Sequence, residues 1–165
     1  MARPMERIYY RFPSQVDLDR NYGYSADTRY LVKAMAGING KIGATDFDTD
    51  GPSIKSRVNT VKAKCELLIE IAARRVDFLP LTQQNLASVL PGLEPGGTID
   101  FRFTVKYSYL DEHFNRMSLK SDVFLVRATV DGKLNLRVAN MDGQERTMPE
   151  EIANTIEAQL KRFKG

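Results

Sequence analysis

Ser53 to Leu79 reads SIKSRVNTVKAKCELLIEIAARRVDFL. Ile54, Val58, Val61, Cys65, Leu68, Ala72, Val76 and Leu79 recur at steps of three and four, the spacing that keeps side chains on one side of a helix with about 3.6 residues per turn. Leu67, Ile71 and Phe78 widen this stripe, which predicts one long helix lying on a core. At about 1.5 Å per residue the helix spans about 40 Å, enough to cross a sheet. Lys55, Lys62, Arg74 and Arg75 mostly fall away from the stripe, open to a partner. Pro80 ends the segment.

On the C-terminal side, Leu81 to Leu90 is expected as a short helix capped by Thr82. The cluster PGLEPGG, Pro91 to Gly97, is the clearest punctuation in the chain. It divides a helix-rich lobe, 1–90, from a strand-rich lobe with a closing helix, 98–165, within one domain. Thr98 to Tyr109 is a strand: Ile99, Phe101, Phe103, Val105 and Tyr107 alternate with Asp100, Arg102, Thr104, Lys106 and Ser108. DEHFNR, Asp111 to Arg116, connects it to a second strand, Met117 to Val130, where Ser121-Asp122 breaks the alternation and predicts a bulge. A three-residue loop, Val130-Asp131-Gly132, leads into a third strand, Lys133 to Met141. It would pair Ala128 with Leu134, Val126 with Leu136 and Phe124 with Val138, apolar against apolar. Thr147 and Glu150 have capping-box spacing ahead of a final helix that buries Ile152, Ile156, Leu160 and Phe163.

On the N-terminal side, Arg7 to Phe12 reads as a strand and Asp17 to Ser25 as a polar loop. Ser25 is the expected cap of a helix that Gly37 would stop. Asn39-Gly40 is a turn signal inside the irregular stretch Gly37 to Gly51. The expected fold is therefore α+β: an antiparallel sheet of three to five strands packed on one long central helix and a C-terminal helix.

The chain has 165 residues, 42% hydrophobic and 27% charged, an ordinary balance for a soluble domain with one core. One cysteine excludes an internal disulfide, and one cysteine with one histidine cannot supply the usual tetrahedral zinc site. The opening MARPMERIYY carries charges where a signal peptide needs an apolar block, and no apolar run reaches membrane-spanning length. The expected compartment is the cytoplasm, or the virion if the source is viral.

Three groups of residues bear on chemistry. Asp46, Asp48 and Asp50 alternate ahead of Gly51, a spacing that wraps carboxylate oxygens around a hard cation such as Ca²⁺ or Mg²⁺. The stretch resembles the start of an EF-hand loop, with Arg57 where that family has its closing glutamate. It is also similar to the nucleophile motif of haloacid-dehalogenase phosphatases, which implies Asp46 as nucleophile and Asp48 as acid. A cation-dependent phosphatase or nuclease is the remote functional class on these residues; a solvated acidic loop leading into the long helix is the plainer one. Gly37-Ile38-Asn39-Gly40 matches the GxxG loop by which KH domains hold nucleic-acid backbones. Finally, Arg102, Lys106, Arg127 and Arg137 project from one face of the strands, opposed by Asp100, and Arg7 and Arg11 share a face of the first segment. Such a face holds phosphates or an acidic partner, although the aromatics of these strands point the other way and offer no stacking platform for bases.

His113 lies in a charged turn and Cys65 in an apolar stripe, so neither forms a nucleophile–base pair, and no catalytic residues are assigned. The chain is expected to be a non-enzymatic interaction or structural protein without a cofactor. It would be a subunit of a larger or self-associating assembly, such as a virion or a secretion machine, with a protein partner or a second copy. The alternative is a nucleic-acid-binding module using the basic face.

Overall fold

The computed structural model describes residues 7–23, 27–40, 42–48, 60–73, 76–93, 96–111 and 113–164. In chain order the elements are β1 (Leu18–Tyr22), α1 (Thr28–Ile38), β2 (Ile42–Asp48), β3 (Thr60–Ala73), β4 (Asp77–Pro80), α2 (Leu86–Val89) continued by a 3₁₀ turn (Leu90–Gly92), β5 (Gly97–Leu110), β6 (Arg116–Val130), β7 (Leu134–Asp142) and α3 (Pro149–Lys164). The described strands form one antiparallel sheet in the order β1-β7-β6-β5-β3-β2, with β4 also paired to β3.

The expected long central helix is not there. Its described part is a central strand, β3, followed by the short strand β4, so the architecture is a large sheet carrying short helices. Residues 53–59, 74 and 75 of the expected helix lie outside the described residues. The reason for the difference is visible in Thr60–Ala73. Val61, Ala63, Cys65, Leu67, Ile69 and Ile71 occupy odd positions, while Lys62, Lys64, Glu66 and Glu70 occupy even ones. That is a period of two, and Ile69 and Ile71 are accordingly buried while Leu68 is only half-buried. The helical stripe used Leu68 and left Ile69 off the core. Pairing on both edges decided the matter: β5 runs along one side of β3, and β2 and β4 share the other. β2 covers residues 60–66 and β4 covers 70–73. Between them the end of α1 fills the gap: Asn39 Oδ1 accepts from Ile69 N at 2.5 Å and Gly40 N donates to Leu67 O at 2.6 Å. Leu81 N donates to Ile69 O at 3.0 Å.

The second half of the chain forms the three expected strands with a changed register. β6 pairs with β7 as Val130↔Leu134, Ala128↔Leu136 and Val126↔Val138, two residues from the expected pairing, because the loop is Asp131-Gly132-Lys133. Gly132 adopts φ +68°, the left-handed conformation. A shift of two keeps every side chain on its face, so Phe124, Val126 and Ala128 point inward as expected. The bulge on β6 lies at Lys120-Ser121, one residue ahead of its expected place, opposite Lys106. The α3 cap is also displaced by one residue: the Glu151 carboxylate accepts from Met148 N at 2.8 Å.

Two elements at the N-terminus differ. Arg7 to Phe12 forms no strand, and β1 comes instead from the segment expected to be a loop. α1 is capped by Asp27, whose Oδ1 accepts from Tyr30 N at 2.7 Å, and it runs through Gly37 to end at Asn39. Ser25 lies outside the described residues.

One face of the sheet packs on α1 and α3. Leu31, Val32 and Met35 from α1 and Ile152, Ile156 and Leu160 from α3 meet Phe101, Phe103, Phe124, Leu134 and Leu136 in a continuous core. The other face is crossed by residues 7–17, which run as a strap over β5, β6 and β7. Arg7 O accepts from Asp100 N at 2.8 Å at one end, and Asp17 N donates to Val138 O at 2.9 Å at the other.

Candidate functional site

Arg102, Lys106, Arg127 and Arg137 do share the face away from the helices. Register places Arg127 opposite both Asp100 and Arg137. Three of the four are engaged within the molecule. Arg127 grips Asp100 with two parallel bonds, Nε to Oδ1 and Nη2 to Oδ2, each 2.8 Å. Asp100 is completely buried, and it also accepts from Tyr9 N at 2.7 Å. The bond to Asp100 raises the Arg127 pKa above its ordinary value. Arg102 forms the same two-pronged pair with Glu70, at 2.8 and 2.9 Å, and that bond raises its pKa likewise. Arg137 lies 3.7 Å from the Asp19 carboxylate and donates to Ser14 O at 3.5 Å.

These arginines also hold the strap. The Arg127 guanidinium lies 4.3 Å over the Phe12 ring, and Arg102 lies 4.7 Å over Phe78, which packs on Tyr9 at 4.9 Å. Arg7 is buried, its Nη1 donating to Ala72 O at 3.2 Å, and burial lowers its pKa. Arg11 is exposed, 5.1 Å from the Tyr10 ring. The structure therefore brings the predicted arginines together, but around the strap.

Lys106 is different. It is exposed beside the β6 bulge and opens onto a cavity of about 250 Å³ lined by Lys64, Glu66, Lys106, Ser108, Arg116 and Ser118. Among the described residues no ion pair engages Lys64, Lys106 or Arg116. Arg116 Nη1 donates to Ser108 Oγ at 3.2 Å, which turns it across the cavity. Nearby Lys120 is tied to Asp142 at 3.0 Å, and that contact with the Gly143 N–H holds Asp142 below the ordinary carboxylate range. The sequence drew attention to Lys106 alone. Lys64 and Arg116 were missed because each stood in a segment assigned to another element, the helix and the turn.

The cavity lies against an open edge. β7 pairs with β6 only from Val123 onward, so among the described residues Arg116–Lys120 has β5 on one side and no strand on the other. The hairpin tip beside it is apolar: Phe114 is 81% exposed, and Leu110 and Met117 are exposed as well. Phe114 has φ +63°, a conformation that favours glycine. The turn holds it there, since Asp111 Oδ1 accepts from His113 N and Asn115 N at 2.9 and 2.8 Å and Phe114 N donates to Asp111 O at 3.0 Å.

The acidic stretch is not a loop at Asp46 and Asp48. Both lie in β2, where register sets Asp46 opposite Lys62 and Asp48 opposite Thr60; Asp50 lies outside the described residues. Among the described residues no three metal-ligating side chains converge. Gly37 and Ile38 are the last residues of α1 and Asn39 is its cap, so the GxxG match spans a helix end.

A buried polar knot occupies the helix-facing side of the same hairpin. Asp122 is fully buried and accepts from Tyr107 Oη at 2.6 Å, Thr147 N at 2.9 Å and Glu145 N at 3.0 Å. Tyr107 Oη also meets Thr147 Oγ1. Burial, reinforced by the Asp122 bond, pushes the Tyr107 phenol far above its ordinary pKa, and burial raises the Cys65 thiol. Both shifts favour the protonated forms, so neither group is activated as a nucleophile. The knot ties the β7–α3 connection to the sheet. Gly143 adopts φ +109° there, and a Cβ on it would strike Asp122.

Comparison with protein-family models, curated proteins and solved structures returns no match. No described helix is long and apolar enough to cross a membrane.

Proposed function

We propose that this chain is a protein-interaction subunit that docks a partner on the β5–β6 hairpin. The observation that carries the proposal is the edge at Arg116–Lys120, which among the described residues pairs with β5 alone, beside the exposed Phe114. An unpaired edge offers a row of backbone donors and acceptors to an incoming strand, and natural sheets normally cover such edges. β1 and β2 end the sheet and likewise have a described strand on one side only; what sets the Arg116–Lys120 edge apart is the exposed apolar hairpin tip beside it. A bulky aromatic held at positive φ and directed into solvent supports the same reading, since the strain is local and the ring gains no packing.

Light scattering combined with pull-down from the native cell tests this. The chain is expected to appear as an oligomer or with a retained protein, and Phe114→Ser with Met117→Ser to lose that association while keeping the fold. A monodisperse monomer that retains nothing overturns the proposal.

A second reading, binding of nucleic-acid phosphates, draws support from Lys64, Lys106 and Arg116, which no ion pair engages among the described residues. It predicts retention of DNA or RNA at low salt that Lys106→Ala and Arg116→Ala reduce. Arg102 and Arg127, held by carboxylates, contribute little to it.

A further inference from the structure

The open edge and the cationic cavity are parts of one surface. Arg116 and Ser118 belong to β6, the strand that carries the edge; Lys106 and Ser108 lie one strand further in, and Lys64 and Glu66 one strand beyond. A strand added beside β6 lies about 4.8 Å from it and presents alternate side chains to this face. Those side chains meet Arg116 first and Lys106 next.

Resting on the reading of the hairpin as a docking edge, we infer that the partner is an extended acidic segment, paired along Arg116–Lys120 with its carboxylates over Arg116 and Lys106. Charge selects this occupant. Three cations face one carboxylate, Glu66, in the cavity, and among the described residues no ion pair satisfies them. A second copy of the chain fits less well. Two-fold antiparallel pairing centred on Ser118 sets Arg116 opposite Lys120 of the partner subunit, and like charges directly opposite one another destabilise a pair. A nucleic-acid strand brings phosphates but cannot pair with backbone N–H and C=O groups along a strand edge. Of the nearby aromatics, Tyr107 is buried on the helix side and gives bases no stacking surface, and the exposed Phe114 lies at the hairpin tip outside the cavity lining.

The test uses a fluorescent peptide of about ten residues alternating threonine and glutamate, a companion with lysine for glutamate, and an oligothymidylate of similar length, measured by anisotropy with the full chain. The glutamate peptide is expected to bind at least about tenfold more tightly than the lysine peptide at about 0.05 M salt, with the difference shrinking at about 0.5 M. Lys106→Glu with Arg116→Glu should reverse the preference, and binding of the lysine peptide shows that this variant is folded. Equal affinity for the two peptides overturns the acidic partner while leaving strand addition in place. Tighter binding of the oligothymidylate overturns it in favour of phosphate recognition. A stable homodimer abolished by Phe114→Ser with Met117→Ser identifies a second copy as the occupant instead. Failure of both peptides to bind, with no oligomer, removes the inference and the docking edge together.

Discussion

Asp100 and Glu70 each hold an arginine by two bonds, yet the two pairs differ in weight. Asp100 is fully buried and Arg127 is 24% exposed; for Glu70 and Arg102 the values are 24% and 41%. Removing one partner of a buried pair leaves a charge without compensation and costs about 3–5 kcal/mol, whereas a more exposed pair contributes about 1 kcal/mol or less. Arg127→Ala should therefore shift the urea midpoint well below that of Arg102→Ala, and equal shifts would contradict the buried role of Asp100. Phe114 makes the opposite prediction. Its left-handed backbone costs about 1–2 kcal/mol in a non-glycine residue, so Phe114→Gly should leave stability unchanged or raise it by up to about 1 kcal/mol while weakening partner binding. A clear loss of stability would show that the ring packs in the fold. Tyr107 links the fold to pH. Its folded pKa is raised, so the unfolded chain releases the phenol proton from about pH 10 while the folded chain keeps it. Stability is present below that pH and falls as pH rises past it, with a shallower fall in Tyr107→Phe measured by denaturant melts.

β3 carries the lesson about what was legible at the scale of elements. Its alternation of Lys62, Lys64, Glu66 and Glu70 with apolar residues was in plain sight, but apolar Leu68 and Ala72 at even positions also completed a helical stripe. Those two face the strap side, where Phe78, Tyr9 and Arg7 shelter the neighbourhood of β3; the second apolar face exists because something covers it. Local periodicity cannot distinguish that from a wide helical stripe. β5 and β6 alternate apolar residues with mostly polar ones, so both were read as strands with each arginine on the face it occupies, while the bulge and the β7 register differ. The strand assignment has a direct test. Ile69→Ala should cost about 2–5 kcal/mol and Leu68→Ala distinctly less, since Ile69 is buried and Leu68 is half-buried. The helical assignment reverses that order.

For the molecule as a whole, the sheet is covered on one face by helices and over part of the other by the strap, and the arginines that looked like a binding surface fasten that strap. This was not legible from sequence because the partners, Asp100, Glu70, Ser14 and Asp19, are distant in the chain from the arginines they meet. Lys106 was legible as an outward cation; its companions Lys64 and Arg116, and the edge beside them, required the topology. Amide hydrogen exchange along Arg116–Lys120 tests the docking edge most directly, recorded on the full chain with and without the threonine–glutamate peptide. The account predicts that alternate amides, those turned away from β5, exchange rapidly in the free chain and slow on saturation with peptide. Slow exchange of every amide in the free chain, or rapid exchange that persists at saturation, would contradict it.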